Sequence, residues 1–214
     1  MNGRPGGKIV GVGRALASRV VTNRDLKATL DTTEDWISSR TGISERRFVG
    51  EDEDCATLAI GASKKALEHA GASGDSGFVD HILGADGKGA PLGRAGQPGD
   101  PNKLYQNGRE VFKFAVRILP EMFEKLLSRN GLTPDDVQFV IPHQANARII
   151  RSAAKKMDIP EERIVINLDR FGNTSAASIP LSYPDIYDKM ERGKYVVTVG
   201  FGFGLTWAAN LYRI

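Results

Sequence analysis

From residue 109 onward, stretches with helical apolar spacing alternate with short apolar runs of strand length, and few architectures accommodate that alternation. Residues 111–129 read as a long amphipathic helix and VQFVI at 137–141 as a buried strand. A second helix is expected over 145–157 and a second strand over RIVINL, 163–168. A helix over 175–190, interrupted at Pro184, should follow. Strands over 195–199 and 206–212, joined by the glycine-rich GFGFGL, read as a terminal antiparallel hairpin. Strands alternating with helices predict an α/β layered fold.

The earlier part of the chain is sparser. Residues 8–12 read as a short buried strand, and 54–70 as an amphipathic helix stopped by Gly71. Between them the polar segment TTEDWISSR reads as a helix capped by Thr33, with acidic residues in its first turn. Residues 84–108 are loaded with Gly, Pro, Asp and Asn and read as a loop or linker, a domain boundary or a functional segment.

Composition narrows the class. The chain has 214 residues, 41% hydrophobic and 26% charged, as in ordinary globular proteins. No apolar run approaches the ~20 residues of a membrane span, and residues 1–7 lack the apolar core of a signal peptide, so a cytoplasmic location is expected. One cysteine, Cys55, rules out an intramolecular disulfide and a zinc site built on several cysteines, and no metal is expected. Its surroundings read as an amphipathic helix, where a small buried thiol is the expected role. The net charge of +3 and pI near 9.0 come without a Lys/Arg block. Arg148, Arg151, Lys155 and Lys156 form the strongest basic cluster, either a solvated helix face or a docking surface for an acidic partner. Nucleic acid is not expected, because no aromatic residues interleave with the basic ones.

Two polar residues stand where an α/β fold places its chemistry. His143, in IPHQAN, follows directly from the strand expected at 137–141. Asn173, in FGNTSAAS, follows the strand expected at 163–168 and also suits a helix cap. On consecutive strand ends the two can converge on one crevice. GFGFG at 200–204 reads either as a hairpin turn or as a source of a backbone N–H for a developing oxyanion. The GVG at 11–13 lacks the glycine spacing of a dinucleotide site.

Taken together, VTNRDL (21–26), TTEDWISSRTGISERR (32–47), NGREVFKFAV (107–116), IPHQANARII (141–150), LDRFGNTSAASIPL (168–181) and GFGFGLTW (200–207) resemble the β-ketoacyl-acyl-carrier-protein synthase III family, and occur in its order. The resemblance implies a thiolase-like layered sandwich of two halves, normally a homodimer. It implies an acyltransferase of fatty acid synthesis with no permanently bound cofactor. Acyl-CoA primes a cysteine, and malonyl-acyl carrier protein is decarboxylated to attack the acyl group. His143 and Asn173 match the pair that binds the malonyl thioester oxygen. Thr32, Trp36 and Arg40 match positions at the CoA entrance. Arg148, Lys155 and Lys156 match the surface that meets the acidic carrier protein.

The chain also departs from that pattern. The segment carrying the nucleophilic cysteine has no counterpart, and Cys55 lies in surroundings that match an earlier helix. EHAGASGDS runs straight into GFVDHILGADG, which resembles the last strand of the first half, with the junction near 76–77. The missing part would hold on the order of a hundred residues at ~30 per strand–helix unit. Residues 1–83 are thus expected to be an internally truncated first half, 84–108 a linker, and 109–214 a near-complete second half. Phe203 replaces a family glycine in the oxyanion turn, and SYPDIYDKMERGKY is shortened. Two functions follow: a synthase by descent that fails at condensation, or a non-catalytic protein that binds CoA or the carrier protein.

Overall fold

A four-stranded mixed sheet organises the molecule in the computed structural model, which describes residues 11–53, 57, 58, 61, 62, 65, 66, 69, 77–97 and 100–214, with the backbone alone at 94–97 and 100–102. Its strands are β3 (Gly77–Ala85), β6 (Val137–Pro142), β7 (Tyr195–Gly202) and β8 (Thr206–Arg213), in the order β3-β8-β7-β6. β6 and β7 run parallel, while β8 is antiparallel to both β7 and β3. A single parallel bridge joins Val140 to Ile164 beyond β6.

Alternation across this sheet separates two apolar layers. Val140, Val197 and Val199 face one cluster, which takes in α3 (Gly108–Asn130) and α4 (Ala147–Met157). Ile141 and Val196 face the other, with Tyr183 and Ile186. α3 follows from its sequence: Asn107 caps the Glu110 N–H, and Val111, Phe114, Ala115, Ile118, Leu119, Met122, Phe123, Leu126 and Leu127 form one buried stripe. Gly131, at φ 65, ends it in the left-handed conformation.

Several expectations change here. The strand 77–85, assigned above to the first half, is hydrogen-bonded along β8 and tied to the end of α3 through Asp80, Arg129 and Asn130. It belongs to the sheet of the second half, so the boundary at 83 cuts through an element of that sheet. The expected linker 84–108 contains a 3-10 turn at Gly87–Leu92 and a hairpin of β4 (Gly93–Gln97) with β5 (Asp100–Gln106). Gly and Pro mask it in the sequence, yet in a two-stranded ribbon every strand is an edge and tolerates Pro101. RIVINL forms no strand beyond the one bridge. The Gln144 side chain takes the place of a neighbouring strand, donating to Val165 O and accepting the Asn167 N–H. The expected helix 175–190 is broken into a 3-10 turn, α6 (Ser178–Ser182) and two further 3-10 turns, consistent with Pro180 and Pro184 lacking amide protons.

Before the sheet lie β1 (Arg19–Thr22) and β2 (Glu45–Phe48), paired antiparallel, and two helices, α1 (Asn23–Lys27) and α2 (Glu34–Thr41). α2 is the expected TTEDWISSR helix, with the Thr33 side chain accepting the Trp36 N–H. Thr57, Leu58, Gly61, Ala62, Lys65 and Ala66 are helical, as expected of 54–70, while Cys55 lies outside the described residues. So do residues 8–10 of the expected first strand; Gly11 and Val12 are in neither helix nor strand. No described helix is long and apolar enough to cross a membrane.

Candidate active site at the end of β6

His143 is the first residue after β6, and its N–H continues the ladder by donating to Val199 O at 2.8 Å. Its ring packs edge-on to Phe201 of β7, with centroids 5.4 Å apart. Nδ1 lies 2.7 Å from the hydroxyl oxygen of Ser178, on the first turn of α6. Burial disfavours the imidazolium and lowers the pKa of His143 below its ordinary value. The group is therefore a neutral imidazole at neutral pH, able to offer one N–H and one lone pair.

The following residue anchors the loop. Gln144 is buried and donates through Nε2 to Pro142 O and Val165 O, both at 2.9 Å. Asn146 then caps α4, accepting the Arg148 N–H, and its Nδ2 donates to Arg40 O at the end of α2. Beside it Gly42, at φ 76, approaches Ala147 so closely that any Cβ there would overlap the alanine. Thus α2, with Trp36 and Arg40, docks against the start of α4, whose cap Asn146 is three residues beyond His143.

Asn173 follows α5 (Leu168–Phe171) and Gly172 rather than a strand end. Its Oδ1 accepts the Ser175 N–H at 3.0 Å, and the side chain is exposed. Ser175 is held at φ 51, an uncommon conformation for a non-glycine residue. Such strain recurs at functional turns. The expected helix-cap and turn character of Asn173 is what its contacts describe; no described contact links it to His143.

The other sequence candidates divide by exposure. Trp36 is 58% exposed on α2, and Arg40 lies one turn further on the same face. The Thr32 hydroxyl is buried without a hydrogen-bond partner among the described residues. Arg148, Lys155 and Lys156 lie on the solvent side of α4, opposite its buried Ile149, Ile150, Ala153, Ala154 and Met157. Arg148 also sits over the Phe112 ring at 5.8 Å, and Arg151 pairs with Glu161. The Phe203 ring rests over Gly93 of the β4–β5 hairpin, where any Cβ would collide with it. No group of three or more potential metal-ligating side chains occurs among the described residues. Sequence reasoning missed Ser178 and Gln144. Their signal was adjacency: Gln144 follows His143, and Ser178 ends the run that begins at Asn173.

Comparison with known proteins bears on this arrangement. Residues 127–214 match the family model described as 3-oxoacyl-[acyl-carrier-protein (ACP)] synthase III C terminal. A β-ketoacyl-[acyl-carrier-protein] synthase III of Rubrobacter xylanophilus is 48% identical over an alignment of 310 positions, covering 97% of this chain and 98% of the relative. One from Bacillus anthracis is 33% identical, with 96% and 98% covered. Among solved structures, a 3-oxoacyl-[acyl-carrier-protein] synthase III of Aquifex aeolicus superposes with a TM-score of 0.89 at 26% identity, covering 97% of this chain and 99% of that one. A synthase III of Thermus thermophilus gives 0.88 at 29% identity, over the same shares. The likeness extends to the thiolase-like α/β fold as a whole.

Proposed function

The chain belongs to the β-ketoacyl-[acyl-carrier-protein] synthase III family of condensing acyltransferases, and from its residues we infer that it retains the thioester-polarising half of that chemistry without the nucleophile that completes it. The observation that carries this reading is His143: an imidazole at the end of β6, kept neutral by burial and held against the Ser178 hydroxyl and the Phe201 ring. Acyl-CoA and malonyl-acyl carrier protein are the substrates this reading assigns. Loss of CO2 from a malonyl thioester leaves the electron pair of the broken C–C bond as an enolate, with its negative charge on the thioester oxygen. A neutral N–H donor from His143, with the Asn173 amide as its partner, would stabilise that charge. Protonation of the carbanion then yields an acetyl thioester.

Condensation needs more. The carbanion must attack an acyl group held on a cysteine. The sequence holds one cysteine, Cys55, in surroundings that match an earlier helix of the family rather than its nucleophile segment. Exposed Val79 and Leu83 on β3, the latter 70% exposed, are what a sheet strand stripped of a covering layer would present. We therefore assign no acyl-enzyme to this chain, and no nucleophilic role to Cys55.

The test is release of CO2 and acetyl thioester from malonyl-acyl carrier protein. His143→Ala and Asn173→Ala should each lose ~10²–10³ in rate, while Cys55→Ala keeps the rate of the parent. Radiolabelled acetyl-CoA should leave no covalent label. Equal release by the parent and His143→Ala would overturn the assignment.

A second reading is favoured by the exposed Trp36 and Arg40 and by the basic side of α4, which border the same loop. An indole can stack on adenine, and Arg pairs with phosphate. On this reading the chain binds CoA or the carrier protein and catalyses nothing. Binding without any CO2 release selects it.

A further inference from the structure

Ser178 is 1% exposed and carries a hydroxyl with a defined set of neighbours. Its oxygen lies 3.2 Å from the main-chain N–H of Gln144, which can only donate, and 2.7 Å from His143 Nδ1. A hydroxyl holds one proton and two lone pairs. Gln144 fills one lone pair, so the hydroxyl proton needs an acceptor. Among the described residues the acceptor in reach is Nδ1. The opposite arrangement would put two donors on one oxygen and leave the Ser178 O–H unpaired in a site closed to solvent, which is costly.

The serine itself is held in place. Its carbonyl accepts the Ser182 hydroxyl at 2.9 Å. The Ser182 oxygen accepts from Asn167 Nδ2 at 3.2 Å, and Asn167 also donates to Asp185. Asn167 N–H in turn ends on Gln144 Oε1. The neighbours on both sides of the imidazole, Gln144 and Ser178, thus belong to one buried polar network. A fully satisfied network of this kind allows few alternative arrangements.

We propose that Ser178 is a positioning residue: its hydroxyl donates to Nδ1 of His143 and fixes the imidazole as the tautomer protonated at Nε2, leaving Nε2–H as the donor to a substrate oxygen. The purpose of that tautomer rests on the reading of His143 given above, but the tautomer itself is observable without substrate. The same chain turn then delivers two parts of the site, Asn173 at its start and Ser178 five residues on.

The experiment is long-range ¹H–¹⁵N correlation on protein labelled at its histidine ring nitrogens, at a pH above the ordinary histidine range. The sequence has three histidines, and His143→Gln identifies the signal of interest. The parent should show His143 protonated at Nε2. Ser178→Ala should move the tautomer ratio toward Nδ1–H by roughly fivefold or more, the factor expected for one lost hydrogen bond. Ser178→Thr, which keeps the hydroxyl, should restore it. A parent protonated at Nδ1 overturns the proposal without any variant having to fold. An unchanged ratio in Ser178→Ala overturns it as well. If the tautomer behaves as stated and no malonyl thioester is decarboxylated, the functional reading fails while the role of Ser178 stands.

Discussion

Residues 77–214 and residues 11–53 are held together by different forces. In the first region, apolar side chains pack on both faces of the mixed sheet, and α3 alone buries nine large or small apolar residues and a proline. In the second, Ala17 and Ile37 are the apolar residues classed as buried. Its cohesion is polar. Asn23 donates to Ser38 and to Ile43 O and accepts from Arg46. It is pinned to the sheet region by Asn146 on Arg40 O, by Ser44 N–H on Asp169 O, and by Arg14 on Asp185. Non-directional burial provides most of the stability of a fold, whereas each hydrogen bond adds a modest net amount. The first region therefore carries its own stability, and the second depends on being docked. The roles proposed above divide along the same line: His143 and Asn173 stand on the stable region, Trp36 and Arg40 on the docked one.

The largest expected effect attacks the stable region. Phe123 is 1% exposed in the centre of α3. Phe123→Ala should cost about 3–5 kcal/mol. The two tryptophans, Trp36 and Trp207, report one region each, so single Trp→Phe variants make each region visible by fluorescence. In a urea titration of Phe123→Ala both reporters should shift to lower urea together, because the docked region has nothing to dock on. A Trp36 signal that stays native after the Trp207 transition would break the comparison.

A smaller effect should follow from cutting one pin. Asn146→Ala removes the cap of α4 and the bond to Arg40 O, together about 1–2 kcal/mol. Hydrogen exchange should quicken over 34–41, while 137–142 and 195–202 keep their protection. CoA binding, if Trp36 and Arg40 carry it, should weaken more than decarboxylation. Uniform acceleration over both regions would show that Asn146 supports the whole fold rather than the dock.

Much of this division could be read in the sequence, and what could not has a physical cause. Helix stripes and caps are local, so α3, α4 and the Thr33 cap of α2 follow from spacing alone. β6 and β7 are mostly apolar runs of strand length, and a glycine-rich turn joins β7 to β8. Pairing over long separations is not local: β3 meets β8 across the whole second region, from Gly77 to Arg213. Nothing in GFVDHILGA itself states which half it serves. RIVINL has the composition of a strand, but its place depends on a glutamine side chain twenty-one residues away. For the site, the position of His143 was legible from the strand before it. Ser178 was not, because its place in the run that begins at Asn173 says nothing of the imidazole until the fold brings the two together.

The smallest expected effect concerns the pin at Asp185 and shows through pH. Burial alone would raise the pKa of this carboxyl. Hydrogen bonds from Asn167 and Arg14, with the charges of Arg14 and Arg170, outweigh burial and hold it below its ordinary value. Arg14 lies at 2.8 Å and Arg170 at 2.7 Å, and both guanidiniums also sit over the Phe171 ring. A carboxyl whose folded pKa is depressed stabilises the fold above its unfolded value, and that stability is lost as pH falls through the folded value. Acidification from about pH 5 to below the ordinary Asp range near 4 should therefore loosen the attachment of Arg14. Asp25, Glu53, Glu110 and Asp136 are depressed too, so the whole protein becomes less stable in acid. The informative quantity is the difference between the parent and Asp185→Asn, which lacks the titrating group. Stability from urea unfolding should converge for the two proteins as pH drops, with the parent ahead only at the upper end. Arg14→Ala should show a shallower version of the same trend, because Arg170 still faces the carboxylate. If the gap between parent and Asp185→Asn stays constant from pH 6 to 3, Asp185 does not couple the regions through its charge, and the dock rests on the main-chain and asparagine contacts alone.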